Sequence, residues 1–534
     1  MKLGKHTSFD ILIALMFLAF VISGLCIYKD YGISIDEPTE RKSEIVSYRW
    51  MNRFLFDRGV FVDEGTEDLE NYQDKYYGVA VQMPLVFIED VYQLITHTPM
   101  TTRSIYLMRH LYTYGLYITA LFFFYRLLLN LFGSKPLGAA GVLMVYSFGR
   151  FFAHSFYNIK DMVFVSMFTI CLYFAEKVIS SEYDKKWCLI FSIISAFTVS
   201  SRIVGALLPL IILLIPIIRY IIRRQKLPLA SMGIICLAYP LWILITPAAW
   251  LDPIRYSINC AFTFSNYNIL EGDKLFGGQW IPNETTPPDF YLRWMGMTIP
   301  LVYQLFIISG LIVFPVHVIK KTNHLPKKLF IGIAESILLL TLLYQIIKRP
   351  AIYNDWRHVF FLYPIMILFA VLGIKLIFDT LPTKIKVLTA AVLSLSIVYN
   401  FIMIARNHPY QYAAYNPIGQ QMASGYEGDY WGVSYYQHLL WIAEHNKEVK
   451  SVTTHFPIRG YMKTNYLMLT EEQKNQVRIP NVDTDYRIVW LSAPMDYYWI
   501  DPETGKEPVI DGYEEVNPIT SYGIKLSSLY QKVQ

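Results

Sequence analysis

Hydrophobic and polar positions in this chain are segregated into blocks rather than alternating residue by residue. Apolar stretches fall near residues 9–28, 104–130, 137–152, 162–178, 187–200, 203–222, 230–246, 298–319, 329–347, 359–378 and 385–405. Each approaches the roughly 20 residues that one helical crossing of a bilayer requires, which predicts about eleven spans. After residue 405 the long apolar runs stop, and the pattern becomes that of a water-facing fold.

Between the first two blocks lie residues 29–103, too long for a simple connector. Within them Thr39–Phe56 reads as an amphipathic helix, with Ile45, Tyr48, Met51, Phe54 and Leu55 at helical spacing and Glu40, Arg41, Lys42 and Glu44 between them. Such a helix is expected to lie in the membrane interface with its apolar face in lipid. Met83–Leu94, following the same logic after Pro84, is a second one, and the acidic stretch Asp63–Asp74 between them reads as solvated loop. The other long loop follows Trp250 and runs through Gly272, Gly277, Gly278, Pro282, Pro287 and Pro288, so it is expected to be irregular rather than helical. A mobile gate over a site and an ordinary connector are both open readings of it. Beyond Asn407, Ser434–His445 looks helical and Ser451–Phe456 and Tyr486–Ser492 are β-rich. The expected organisation is a polytopic α-helical membrane region, residues 1–405, including the outer loop 29–103, followed by a small extracytoplasmic α/β domain, residues 406–534.

Composition agrees: 54% of the residues are hydrophobic and only 17% charged, which excludes a set of soluble domains. The basic residues of short loops set the orientation. With the N-terminus cytoplasmic, Lys135, Lys185, Lys186, Arg223, Arg224, Lys226, Lys320, Lys321, Lys327, Lys328, Lys384 and Lys386 all fall on the inner side. The net charge of +5 reflects these loops and gives no reason to expect nucleic-acid binding. The first span lacks an Ala-x-Ala cleavage pattern and is expected to be retained. Of five cysteines only Cys260 falls in an outer loop, so no disulfide framework holds the outer regions.

Five groups of residues on the outer side carry candidate chemistry. Ile33-Ser34-Ile35-Asp36-Glu37-Pro38 places two carboxylates directly after the first span; the plainer reading is a helix start, with Pro38 in its first turn and acids favoured by the dipole. His154-Ser155-Phe156-Tyr157-Asn158-Ile159-Lys160-Asp161 puts a cation and an acid at the mouth of two spans, or simply a salt bridge in a loop, and Arg150 and His154 either extend this cluster or snorkel to the interface. Arg202 stands in a minimal turn, where a charge at membrane depth is a functional candidate by default and a lipid-phosphate anchor otherwise. Arg357-His358 opens a Phe-rich span; the planar guanidinium suits phosphate, while the histidine has a phosphate, a metal or a purely structural role open to it. Tyr426, Asp429 and Trp431 combine aromatic rings with a carboxylate, as sugar recognition does, although Tyr and Trp are equally expected in interfacial packing. There is no P-loop, dinucleotide-binding glycine pattern, His-Glu-x-x-His or Cys-rich metal set.

An Asp-Glu pair after the first span, a long outer loop, an Asn-x-Lys-Asp stretch before the fourth span and an Arg-His pair before a Phe-rich span together resemble the GT-C superfamily of membrane glycosyltransferases. The likeness is nearest to the family 39, ArnT-like and protein O-mannosyltransferase-like group. It covers best the first 220 residues or so and the segment Arg357–Pro364. The resemblance implies a sugar donor carried on polyprenyl phosphate and an acceptor that is a protein, lipid or glycan, with inversion at the anomeric carbon. On that basis Asp36 is the general base, with Glu37 orienting it or binding acceptor or a divalent metal. Lys160, Asp161, Arg202, Arg357 and His358 form the donor phosphate and sugar site, and Tyr426, Asp429 and Trp431 the acceptor side. Rival readings are a transporter or flippase of a lipid-linked saccharide, a polysaccharide ligase or polymerase, and a non-catalytic scaffold. The first of these predicts ionisable residues within the spans, which are largely free of them.

Overall fold

The computed structural model describes residues 5–57, 67–265, 272–320, 325–454, 459–480, 484–490 and 510–533. Residues 63–66 of the acidic stretch, Lys321, and the far ends of two expected strands, 455–456 and 491–492, lie outside the described residues.

The chain is a polytopic helical membrane protein with a small sheet-containing C-terminal region. Helix α1 (Lys5–Ile27) is the first apolar block. Helices α2 (Glu37–Phe56) and α3 (Met83–Thr96) occupy the long segment between the first two apolar blocks, each with a proline in its first turn. Helix α4 (Thr102–Phe132) is capped by the Thr101 side chain and ends on Gly133, whose φ of 66° suits a residue without Cβ. Helices α5 (Lys135–Tyr146) and α6 (Gly149–Tyr157) form one apolar run bent by 68°. Then follow α7 (Asp161–Ser180), α8 (Lys185–Ser201), α9 (Leu207–Arg223), α10 (Leu229–Cys236) and α11 (Ala238–Leu244).

Among the described residues seven helical segments are long and apolar enough to cross a membrane, or eight if the bent pair is one span. The other apolar blocks are helical but short or broken. Helix α8 has 17 residues, about 26 Å of rise against a hydrocarbon core of about 30 Å. Helices α10 and α11 break at Leu237.

The loop after Trp250 departs from its expected irregularity. It contains α12 (Pro253–Ser265) and a hairpin, β1 (Asp273–Phe276) and β2 (Gln279–Pro282). The hairpin turns on Gly277 and Gly278, both at positive φ, so the glycines that signalled an irregular, non-helical backbone make a tight two-residue turn. Lys274 ties the hairpin down by donating to the carbonyls of Asn283 and Ile352, and Gly278 N–H donates to Gly425 O.

Helices α13 (Phe290–Thr298), α14 (Leu301–Lys320), α15 (Leu325–Lys348), α16 (Tyr363–Thr380) and α17 (Thr383–Arg406) complete the membrane region, with a 3₁₀ turn, Arg357–Leu362, leading into α16. The core is built around α7 and the α16 segment, whose apolar stretches are 94% and 83% buried, whereas α1 and α17, at 11% and 17%, face outward.

After α17 come α18 (Pro417–Gln420), α19 (Ser434–His445), β3 (Lys450–Thr454), α20 (Arg459–Tyr466), α21 (Glu471–Lys474), β4 (Val477–Arg478), β5 (Tyr486–Trp490), β6 (Tyr513–Ser521) and β7 (Ile524–Lys532). The five strands form a mixed sheet in the order β4-β3-β5-β7-β6, parallel between β4, β3 and β5 and antiparallel across β5, β7 and β6. Helix α19 packs its Tyr435, Leu439 and Ile442 with Val452, Ile488 and Leu529 of the sheet in an apolar cluster separate from the membrane core.

Helix α2 differs from the expected interfacial helix in what it encloses. Its Glu37, Glu40, Arg41 and Glu44 are buried along with Ile45 and Tyr48. Arg41 pairs with Glu89 of α3 at 2.6 Å, and Arg109 of α4 pairs with Glu44 at 2.7 Å and Glu89 at 3.3 Å. Charges counted as polar face in an isolated helix thus find opposite charges on two neighbours. The apolar end Phe54-Leu55-Phe56 and the face of α3 bearing Phe87, Ile88, Leu94 and Ile95 remain exposed.

Candidate active site

Asp36 occupies the N-cap position of α2, but its side chain makes no capping hydrogen bond. The carboxylate turns instead to Arg357, whose Nη1 donates to Asp36 Oδ2 at 2.9 Å. Glu37, one residue on, points elsewhere. Its Oε2 accepts from Ser34 N at 2.7 Å, its Oε1 lies 3.1 Å from His110 Nε2, and it is 1% exposed. The two acids of the dyad therefore diverge: Glu37 closes the turn into α2 against α4, while the Asp36 side chain stays 28% exposed.

Lys160 and Asp161 stand at the start of α7. Asn158 and Asp161 bond each other reciprocally, Asp161 N to Asn158 Oδ1 at 2.9 Å and Asn158 Nδ2 to Asp161 Oδ2 at 3.0 Å, which fixes this helix start. Asp161 then bridges two cations, paired with Arg202 at the end of α8 and 3.7 Å from Arg357. Lys160 reaches back to Glu40, one turn after Asp36 on α2, at 2.7 Å, and its ammonium lies 3.5 Å from the ring centre of Tyr77. Burial disfavours its charge, but Glu40, with Tyr77 and Asp36, outweighs that and raises its pKa above the ordinary lysine range.

Arg357 is the hub. Its guanidinium lies 4.3 Å from the ring of Tyr353 and 4.9 Å from those of Tyr430 and Trp431, and its Nη2 donates to the Tyr430 hydroxyl at 3.1 Å. The buried Nε atoms of both Arg357 and Arg202 lack a partner among the described residues. His358 sits edge-on to Tyr353 at 5.8 Å. Arg150 is drawn off by Asp355 at 2.7 Å, and His154 is buried edge-on to Trp431.

Of the three aromatic and acidic residues at the start of the C-terminal region, only Trp431 touches this cluster. Asp429 is fully buried and accepts from Gly432 N and Ser434 N, shaping the turn into α19. Tyr426 packs edge-on to Phe276 and Trp294, against the hairpin. Glu427 between them is also buried; desolvation raises its pKa well above the carboxylate range, although Arg357 and Lys274 oppose this.

Glu40, Tyr77 and Tyr353 join the cluster without having been singled out from the sequence, and Tyr430 joins it from the Asp429-Tyr430-Trp431 segment in which aromatic rings beside a carboxylate pointed to sugar contact. Of the first three, Glu40 alone carried a signal, because it stands four residues after Asp36 and so on the same helix face. No group of three or more His, Cys, Asp or Glu side chains among the described residues is arranged to hold a metal ion. With Glu37 turned to His110 and Asp36 to Arg357, the dyad does not fit a divalent ion.

No family model and no curated protein matches the sequence. Solved structures of similar outline include ArnT from Cupriavidus metallidurans bound to undecaprenyl phosphate, at 11% identity and TM-score 0.46 over 97% of each chain. The Archaeoglobus fulgidus oligosaccharyltransferase in complex with Zn and sulfate is similar at 10% identity and TM-score 0.42, over 86% of this chain and 64% of that one. The arabinofuranosyltransferase AftD from Mycobacteria is similar at 10% identity and TM-score 0.40, over 97% of this chain and 40% of that one. Likeness at this level is one of general outline and says nothing of the reaction.

Proposed function

We propose that the chain is a membrane glycosyltransferase of the GT-C type that moves a sugar from a polyprenyl-phosphate-linked donor to an acceptor at the extracytoplasmic face. The observation that carries this reading is a partly exposed carboxylate, Asp36, in contact with Arg357, with Lys160 and Arg202 joined to the same cluster through Glu40 and Asp161 at a single end of the span set. Lys185, Lys186, Arg223, Arg224, Lys384 and Lys386 lie at the opposite helix ends, which by the bias of basic loops makes that end cytoplasmic and the site extracytoplasmic. Residues 406–534 then form an extracytoplasmic domain that supplies Tyr430 and Trp431 to the site.

In this reaction the acceptor oxygen attacks the anomeric carbon from the face opposite the phosphate. Asp36 takes the proton of that oxygen, the bond from the anomeric carbon to the phosphate oxygen breaks, and the electron pair leaves with polyprenyl phosphate. The departing dianion needs fixed positive charge rather than an acid. Lys160, Arg202 and Arg357 supply it, with Asp161 holding the two arginines in register. Arg357 contributes twice, because a phosphate that engages its guanidinium competes with Asp36 for it and releases the carboxylate as base. Glu37 fixes the backbone on which Asp36 stands.

The test is transfer of labelled sugar from a panel of polyprenyl-phosphate sugars to membrane acceptors, by the purified chain and by Asp36→Asn. Transfer that disappears in the variant while polyprenyl phosphate still binds supports the reading. Equal turnover by both removes Asp36 from the mechanism, and no transfer from any donor sinks the assignment.

A further inference from the structure

The three residues before Asp36 are held by the C-terminal region rather than by the membrane region alone. The Asn465 side chain of α20 spans the backbone of Ile33, accepting from Ile33 N at 2.9 Å and donating to Ile33 O at 3.0 Å. This is the pairing a neighbouring strand would make, supplied by one amide side chain. Its Nδ2 also donates to Tyr461 O one turn earlier, and Asn465 is fully buried. The Ile33 side chain sits in the cluster formed by Tyr435, Tyr436, Leu439 and Met462. Two residues on, Ile35 N donates to Trp431 O at 3.1 Å. From the other side Ser34 Oγ donates to Tyr157 O, and Glu37 binds His110. Asp36 therefore stands between one clamp from α19 and α20 and another from α4 and α6. Tyr461 faces the same carboxylate: burial raises its pKa, and the Asp36 charge adds to the rise.

We propose that Asn465 is a positioning residue for Asp36, so that residues 406–534 complete the catalytic apparatus instead of only presenting an acceptor. The role rests on Asp36 acting as the base. A carboxylate three residues from a doubly bonded backbone unit, and one residue from an amide tied to Trp431 O, has little freedom to swing, and a displacement on the order of 1 Å at a reacting group costs about 100-fold in rate. The amide is also irreplaceable by its acid: Asn465→Asp keeps the acceptor for Ile33 N but sets a carboxylate oxygen against the carbonyls of Ile33 and Tyr461.

The experiment compares wild type, Asn465→Ala, Asn465→Asp and Gly32→Ala, the last because a Cβ at Gly32 would press on Asn465 Oδ1, Tyr436 and Val433 O. Four quantities are read: kcat, the affinity for a short-chain polyprenyl monophosphate, thermal unfolding, and hydrogen exchange of the amides from Ile33 to Glu37. The expected result is a kcat lower by about 10-fold to 100-fold, faster exchange at Ile33 and Ile35, unchanged phosphate affinity, and an unfolding temperature lowered only modestly, as the buried groups left unpaired at Ile33 require. Unchanged kcat and exchange in the Asn465 variants overturn the proposal. Parallel loss of affinity, stability and rate overturns it as well, in favour of a purely structural amide. If wild type transfers no sugar from any donor, the glycosyltransferase reading fails and the positioning role fails with it, while the exchange data still decide whether the clamp exists.

Discussion

Two charge clusters border the same end of the helices, and they use the same residue types in opposite ways. In the first, between α2, α3 and α4, Arg109 places Nη1 and Nη2 on the two oxygens of Glu44 and also reaches Glu89, which Arg41 grips through Nε and Nη2. All four side chains are at most 8% exposed. In the second, Arg357 gives Asp36 a single nitrogen, and Arg202 gives Asp161 a single nitrogen. Asp36, Lys160 and Arg202 keep 28%, 20% and 22% of their side chains exposed. A guanidinium carries five N–H donors. The first cluster commits both terminal nitrogens of Arg109 to the two oxygens of one buried carboxylate and is a joint, although its Nε lacks a partner among the described residues; the second holds each carboxylate by one nitrogen beside partly exposed side chains, which is what a site for a phosphate requires. The difference lies in geometry, since each cluster has equal numbers of cations and carboxylates.

The strongest way to break this contrast is at Asp36. Asp36→Asn is expected to lower transfer by about 10² to 10⁴ with the protein still folded, measured by labelled-sugar transfer beside thermal unfolding. Next comes the joint. Arg109→Leu strands Glu44, while Glu89 keeps Arg41, and is expected to cost about 3 to 5 kcal/mol of stability, read as a lower unfolding temperature or lost folded yield in detergent. Arg202→Leu should instead cost more in polyprenyl-phosphate affinity than in stability; equal penalties on stability in the two variants would erase the distinction. A finer cut is Arg357→Lys, which keeps charge but loses the fork, and is expected to weaken donor binding about tenfold, or about 1.4 kcal/mol.

The smallest effect concerns Glu427, which belongs to neither cluster. Its pKa is raised in the folded chain by burial, so the unfolded chain releases this proton first. Stability should therefore fall as pH rises from about 4.3, the ordinary glutamate value, through the raised value. Glu427→Gln removes that slope and stabilises the protein on the alkaline side, measured as unfolding temperature against pH. Parallel curves for the two proteins would exclude Glu427 as the source.

Helix positions were legible wherever a single segment carried its own reason. The apolar blocks all proved helical, and Ser434–His445 matches α19 residue for residue, because hydrophobic periodicity is local. What was not legible depends on partners far along the chain. The burial of Arg41 and Glu44 follows from Glu89 and Arg109, which no periodicity within α2 reveals. The helix Pro253–Ser265 escaped because the Gly and Pro residues after it dominated the reading of the whole loop. At the site, Asp36, Lys160, Asp161, Arg202 and Arg357 come from four separate stretches and do converge, whereas Tyr426 and Asp429 have the composition of sugar-binding residues and are spent on packing and a turn. Asn465 gave no signal at all, since its meaning lies 432 residues away at Ile33.

The exposed apolar rim on α2 and α3 has a consequence for where the reaction can take place. Phe54, Leu55 and Phe56 together with Phe87, Ile88 and Ile95 need an oily neighbour, and the Arg41–Glu89 and Glu44–Arg109 joints bind that rim rigidly to α4. The rim therefore works as a waterline. Asp36 stands at the other end of α2, 20 residues from Phe56 and about 30 Å along the helix, so the depth of the carboxylate follows from how α2 lies against the lipid.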